Sequence, residues 1–275
     1  MSQLTMSTIC FSAATRITAL RPSLDLLAEF TLDVWLAAKF APPLGPAVSD
    51  GRTWERTVAG LLYRPGFTRR QGPGNHTLFG SLSASGVEHE IDAAADGWRG
   101  SVIIECKATG GGITKADVAL FHIKVMDFYQ RKIATVSRER WWRLLCGTTV
   151  SAQPARATAI SLGLLICDPG RLPLPVLVRA AGRPMADLHL SEPMLQEIVR
   201  LGERALRPQQ ERWPYRAEAG EIGFNPDLWK DGEIKDLMWL EDELSSSLLD
   251  LFERNCPGAL ERRAANLFWR VRKLA

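Results

Sequence analysis

The chain has 275 residues, 46% of them hydrophobic and 24% charged, which is the balance of an ordinary globular protein with room for one large domain or one core with additions. A net charge of +3 is too small to mark a nucleic-acid binder, so any basic surface must come from local clustering. No apolar run has the length of a membrane span.

Cys10, Cys106, Cys146, Cys167 and Cys256 form no CxxC pair. That argues against a zinc site of the usual spacing and for reduced thiols, so a cytoplasmic location is expected. Residues 1–24 contain no acid but have no secretory pattern, and they read as a plain extension rather than a targeting segment.

The first predicted element is a helix over residues 23–40, with Ser23 as its N-cap and Leu26, Leu27, Phe30, Val34 and Ala37 as one apolar stripe. Pro42, Pro43, Gly45 and Pro46 end it. A short helix over 53–63 carries Trp54, Val58, Leu61 and Leu62. Residues 86–95 alternate as a strand, Asp96-Gly97 opens a turn, and residues 101–108 form the next strand. After Gly110–Gly112 a helix runs over 115–131, with Val118, Phe121, Val125 and Phe128 at helical spacing. A strand at 141–147, a helix at 151–162 and a buried strand at 162–169 follow. Beyond Pro184 come helices at 191–206 (capped by Ser191), 233–253 and 258–273, separated by a polar stretch at 207–232. The order predicts a mixed α/β core at 51–184, a helical N-terminal extension at 1–50 and a helical C-terminal region at 185–275.

Alternation along the paired strands predicts that Glu88, Glu90 and Asp92 share one face, and that Ile103, Glu105 and Lys107 share another. The second strand is apolar enough to be central. A carboxylate and an ammonium there are costly unless paired or bound to metal. Two carboxylates at ~4 Å repel by about 4 kcal/mol at an effective dielectric of about 20, and a divalent cation reverses the sign. Oxygen donors favour Mg2+ or Mn2+. Asp92, Glu105 and the backbone carbonyl of Cys106 are therefore the expected metal ligands. Lys107 is expected to orient a water or stabilise phosphate charge. The plainer alternative is a buried Glu105–Lys107 ion pair that only shapes the core.

Asp92 followed by Glu105-Cys106-Lys107 resembles the signature of the PD-(D/E)XK nuclease superfamily, and the surrounding text is similar to its Mrr-like and restriction-endonuclease-like branches. Ile91 stands where that signature usually has Pro. The resemblance covers residues 51–170. It implies an αβββαβ core with a central mixed sheet, Asp92, Glu105 and Lys107 as catalytic residues, and metal-dependent hydrolysis of phosphodiester bonds, with DNA as the expected partner and RNA also open. An intracellular role in bacterial antiviral defence or genome maintenance would fit. It further implies that Glu55, on the helix at 53–63, reaches the metal site; a first-turn Glu favoured by the helix dipole is the alternative. Glu90 is a further candidate ligand, and Lys124 a candidate phosphate contact.

Weaker candidates are His76 in a Gly-rich loop, His89 and His122 as packed or surface histidines, Glu88 as a solvated acid, Lys115 and Gln130 on the helix after the motif, and Arg69 and Arg70. Arg131, Lys132, Arg138, Arg140 and Arg143 with Trp141 and Trp142 form a basic and aromatic cluster suited to phosphate contact and stacking, or simply a solvated surface. The glycines at 72–74 and 110–112 lack P-loop spacing. The rival reading is a catalytically silent nucleic-acid-binding or assembly subunit of a larger defence or transposition complex. The C-terminal helices would serve either reading as a homodimer or partner surface.

Overall fold

The computed structural model describes residues 21–40, 51–62, 67–69, 89–97, 100–132, 141–183, 188, 190–206 and 229–274. A five-stranded mixed sheet lies at the centre, built from β1 (Phe67–Arg69), β2 (Ala93–Gly97), β3 (Gly100–Lys107), β4 (Trp141–Gly147) and β5 (Leu165–Cys167), side by side in that order. β1–β2 and β2–β3 are antiparallel, and β3–β4 and β4–β5 are parallel. The parallel steps need crossovers, which α3 (Lys115–Lys132) and α4 (Gln153–Leu162) supply. The predicted mixed α/β class is therefore present. Among the described residues no helix is long and apolar enough to cross a membrane.

Alternation along β3 sorts the core into two. Val102, Ile104 and Cys106 enter the larger cluster, with Leu144 and Cys146 of β4. Ile103 enters the smaller one, with Ala94, Leu145, Val118, Phe121 and Val125. α3 and α4 thus cover one face of the sheet. The other is covered by α1 (Arg21–Phe40), α2 (Gly51–Leu61), α5 (Leu174–Ala181), α6 (Glu192–Leu206), α7 (Glu233–Asn255) and α8 (Ala259–Leu274).

Several local expectations need correction. α1 begins at Arg21, so Ser23 lies inside its first turn rather than at the N-cap. Nor does α1 present a single stripe: every residue from Thr31 to Ala38 is buried, as in a helix enclosed on all sides. Asp33 is tolerated there because Arg263 of α8 donates to it at 3.1 Å. Of the strand predicted at 86–95, residues 86–88 lie outside the described residues; β2 begins at Ala93, and Asp96 and Gly97 belong to it rather than to a turn. Residues 89–92 are not strand, which is why Ile91 is buried in the same cluster as Ala94 instead of on the opposite face. α5 had no sequence-based prediction. Pro173 precedes it and Pro175 lies in its first turn, where the missing N–H costs nothing.

β3 is followed by a tight turn in which Gly112 donates to the Thr109 carbonyl at 3.2 Å. Gly112 has φ 70°, and a Cβ there would stand 2.4 Å from the Val150 carbonyl oxygen. Gly112→Ala is expected to cost at least about 2 kcal/mol, since it combines a left-handed backbone with a clash against main chain. Thermal unfolding of the variant measures this directly.

Candidate active site

Three elements converge at the C-terminal end of β3. β3 itself is central, and the β2–β3 register pairs Ala93 with Ile104, so one further step places Asp92 opposite Glu105. β2 stops there because the Asp92 side chain takes over from the ladder: the Cys106 N–H donates to its Oδ2 at 2.5 Å. A strand residue's N–H and C=O leave along the same edge, so the Cys106 carbonyl also faces the Asp92 side.

α2 is fastened to the sheet by Trp54, which is fully buried and whose indole N–H donates to the Cys146 carbonyl at 2.8 Å. Glu55 follows it on the helix, half-buried, and its charge acts on Asp92. α3 is started by a capping box in which the Asp117 N–H donates to Thr114 Oγ1 at 3.2 Å and the Thr114 N–H donates to Asp117 Oδ2 at 2.9 Å. From α3, Lys124 reaches back to the sheet.

Glu105 is the centre of the arrangement. It is 5% exposed. Its Oε1 accepts from Lys107 Nζ at 3.2 Å and from Lys124 Nζ at 3.0 Å. Its Oε2 is buried and has no hydrogen-bond partner among the described residues. A buried carboxylate oxygen left bare costs about 1–3 kcal/mol or more, so it calls for an explanation.

The electrostatics point the same way. Burial pushes the Asp92 carboxyl up to about 7, and the charges of Glu105 and Glu55 push with it, against the Cys106 N–H and Lys107. Burial works against the Lys107 ammonium, but the charge and hydrogen bond of Glu105, with Asp117 and Asp92, outweigh it and raise its pKa. Burial and the surrounding carboxylates push the Cys106 thiol well up, so its sulfur is a packing group and not a nucleophile.

The proposed catalytic and ligand residues Asp92, Glu105, Lys107 and Cys106 are thus brought together, with Glu55 and Lys124 beside them. Glu90 is placed differently. Its side chain is exposed, and it is the Glu90 backbone carbonyl that receives Lys124 Nζ, at 3.2 Å. His89 pairs with Asp127 at 2.6 Å. His122 accepts from Arg143 Nη1 at 2.9 Å, and burial together with the Arg143 charge lowers its pKa to about 4, so it is a neutral packed histidine.

The basic and aromatic cluster is corrected. Arg143 is 1% exposed and is spent on His122 and the Leu162 carbonyl, and Trp142 is buried with its indole N–H on the Leu206 carbonyl at 3.4 Å. Neither can meet a nucleic acid. His76, Arg70, Glu88, Arg138 and Arg140 lie outside the described residues, as do the side chains of Arg69, Gln130, Arg131, Lys132 and Trp141.

Could these groups hold a divalent cation? Among the described residues no three His, Cys, Asp or Glu side chains are gathered into a complete cage. What is present is the Asp92 carboxyl on the Cys106 N–H, the Glu105 carboxylate whose charge acts on it, a peptide carbonyl on the same edge and a buried Glu105 oxygen that no described residue meets. That set suits a hard ion that keeps several waters, which is the habit of Mg2+. Comparison with known proteins leaves the geometry to speak alone: no family model, no curated protein and no solved structure matches this chain.

Proposed function

We propose that this chain is a metal-dependent nuclease of the PD-(D/E)XK kind that hydrolyses phosphodiester bonds in DNA. The observation that carries the reading is the bare, buried Oε2 of Glu105 opposite a carboxyl at Asp92 that its negative neighbours and burial hold near pH 7. Two lysines meet one oxygen of Glu105 and no described residue meets the other, which leaves that oxygen open to a cation. The order α2-β1-β2-β3-α3-β4, antiparallel through β3 and then parallel, supports the reading as the αβββαβ order it requires.

In this reading Asp92, Glu105 and the Cys106 carbonyl would hold Mg2+ or Mn2+, with Glu55 as a candidate further ligand. When bound, the cation would polarise the scissile phosphate and make a water more acidic. Lys107 keeps its proton, because its pKa is raised, and so donates to the attacking water or the phosphate instead of acting as a base. Lys124, on the same Glu105 oxygen, supplies a second ammonium toward the phosphate. Water's oxygen bonds to phosphorus and releases a proton to solvent, the bridging P–O bond breaks, and the leaving oxygen takes up a proton from solvent.

The test is cleavage of supercoiled plasmid and single-stranded DNA by purified protein in Mg2+, Mn2+ or EDTA. Cutting is expected with either metal and none in EDTA, with Lys107→Ala slower by roughly 10²–10³-fold. A folded protein that cuts neither DNA nor RNA with either metal would instead favour the silent binding or assembly subunit.

A further inference from the structure

We propose that the outward face of α8 is a docking track for single-stranded DNA beside the candidate active site. The inner face of α8 is settled: Ala264 and Leu267 are buried in the main core and Arg263 is turned to Asp33 of α1. The outer face carries Arg262, Asn266 and Trp269, spaced by four and three residues and therefore aligned along the helix. All three are exposed, Trp269 at 61%. Three and four residues further on, the sequence places Arg272 and Lys273.

Charge is segregated between the last two helices. α8 carries five cations (Arg262, Arg263, Arg270, Arg272 and Lys273) against Glu261, a balance of +4 that exceeds the +3 of the whole chain. α7 carries seven acids against Lys235 and Arg254, a balance of −5. The positive charge is thus concentrated on this helix by sequence, with Arg262 its described cation on the outer face, and it complements a phosphate backbone. Its position fits too. α8 packs on α1 and on α2, and α2 presents exposed Arg52 and Arg56 on one flank of the Glu55 that acts on Asp92.

An exposed indole aligned with an exposed amide and the Arg262 guanidinium suits an unpaired base stacked on the ring while its phosphate meets that cation. A duplex hides its base faces, so Trp269 selects the single strand. The inference rests on the nuclease reading for what happens to the bound strand, though not for binding itself.

The experiment separates the two. Asp92→Ala protein in EDTA, which has no route to cleavage, is titrated against fluorescein-labelled oligothymidine and a labelled duplex, and anisotropy is read. Trp269→Ala in that background should weaken single-strand binding by roughly 5- to 150-fold, with duplex binding nearly unchanged. Trp269→Phe should recover part of the loss. Arg262→Gln should lower the slope of log affinity against log salt by about 0.7. Each substitution lies on the exposed face, so unchanged thermal unfolding confirms that the fold is intact. Single-strand affinity unmoved by Trp269→Ala, an equal loss on duplex, or tighter binding of oligouridine than of oligothymidine would overturn the proposal. A protein that cuts DNA yet ignores Trp269→Ala sinks this inference alone. One that binds through Trp269 and never cuts sinks the nuclease reading alone.

Discussion

Asp92→Asn is expected to abolish metal-dependent cleavage and, in metal-free protein, to make the fold more stable near pH 8. The two effects share one cause. Burial and the carboxylates of Glu105 and Glu55 hold Asp92 at about 7 against an ordinary value of 3.8. A carboxyl whose folded pKa is raised costs stability as pH rises from the unfolded value through the folded one, and the full cost is present above it. A three-unit shift corresponds to about 4 kcal/mol at most. Solvent relaxation and the weaker bond that a neutral amide offers to the Cys106 N–H reduce the expected gain to about 1–3 kcal/mol. Asn keeps the acceptor and removes the charge. Cleavage should fall by roughly 10³-fold or more, since even outer partners of metal ligands cost about 10–100-fold.

Thermal unfolding between pH 6.5 and about 8.5, with and without Mn2+, separates this from a structural role. Below that window His122 acts with the opposite sign. Its pKa is lowered to about 4, so the unfolded chain takes a proton the folded one refuses, and stability falls as pH drops through 6.5. Inside the window wild type should gain stability on acidification and on adding Mn2+, and Asp92→Asn should lose both responses. If Asp92→Asn proves less stable than wild type at pH 8 without metal, Asp92 is a structural hydrogen-bond acceptor and the account fails.

What could be read in the sequence divides by range. β3 was legible because it is regular through Lys107 and paired on both sides, so two-residue alternation holds and Glu105 and Lys107 do share a face. Asp92 was found as a residue but misplaced as part of a strand. Its side chain replaces a ladder bond, and alternation ends where that happens. Lys124 was legible as a helix residue near the site, but not its grip on Glu105 across 19 positions. Arg143 and Trp142 were misread because a buried Arg and an exposed one look alike in sequence. Arg143 is enclosed through His122 and the Leu162 carbonyl, 21 and 19 residues away, and Trp142 through the Leu206 carbonyl, 64 away. α5 was hidden by two prolines that a helix start tolerates.

The same limit hid a buried ionic joint between α4 and α7. Arg156 on α4 is 5% exposed; its Nη2 donates to Glu241 Oε2 at 3.0 Å and to the Met238 carbonyl at 3.3 Å, and its Nη1 to Asp242 Oδ2 at 2.9 Å. Some 85 positions separate the partners, and no local pattern announces them. Arg156→Met is expected to cost about 3–5 kcal/mol in urea unfolding, because it leaves Glu241 buried with Arg171 alone, at 3.8 Å. Burial already pushes the Glu241 carboxyl above its usual value despite Arg171 and Arg156. Without Arg156 it rises further, so the variant should recover stability as pH falls, where wild type recovers less. Replacing both partners, Arg156→Met with Glu241→Leu, should cost far less than the sum of the single changes, since an apolar pair of similar volume needs no charge compensation. A loss under about 1 kcal/mol for Arg156→Met would mean that water or Arg171 takes over and that the joint contributes little. A large loss with a large coupling would mean that α7 is held to α4 by charge. Ala155 and Ala159 on the same helix share a buried cluster with Ile103 and Leu145, so this distant ion pair would steady the strand that carries Glu105.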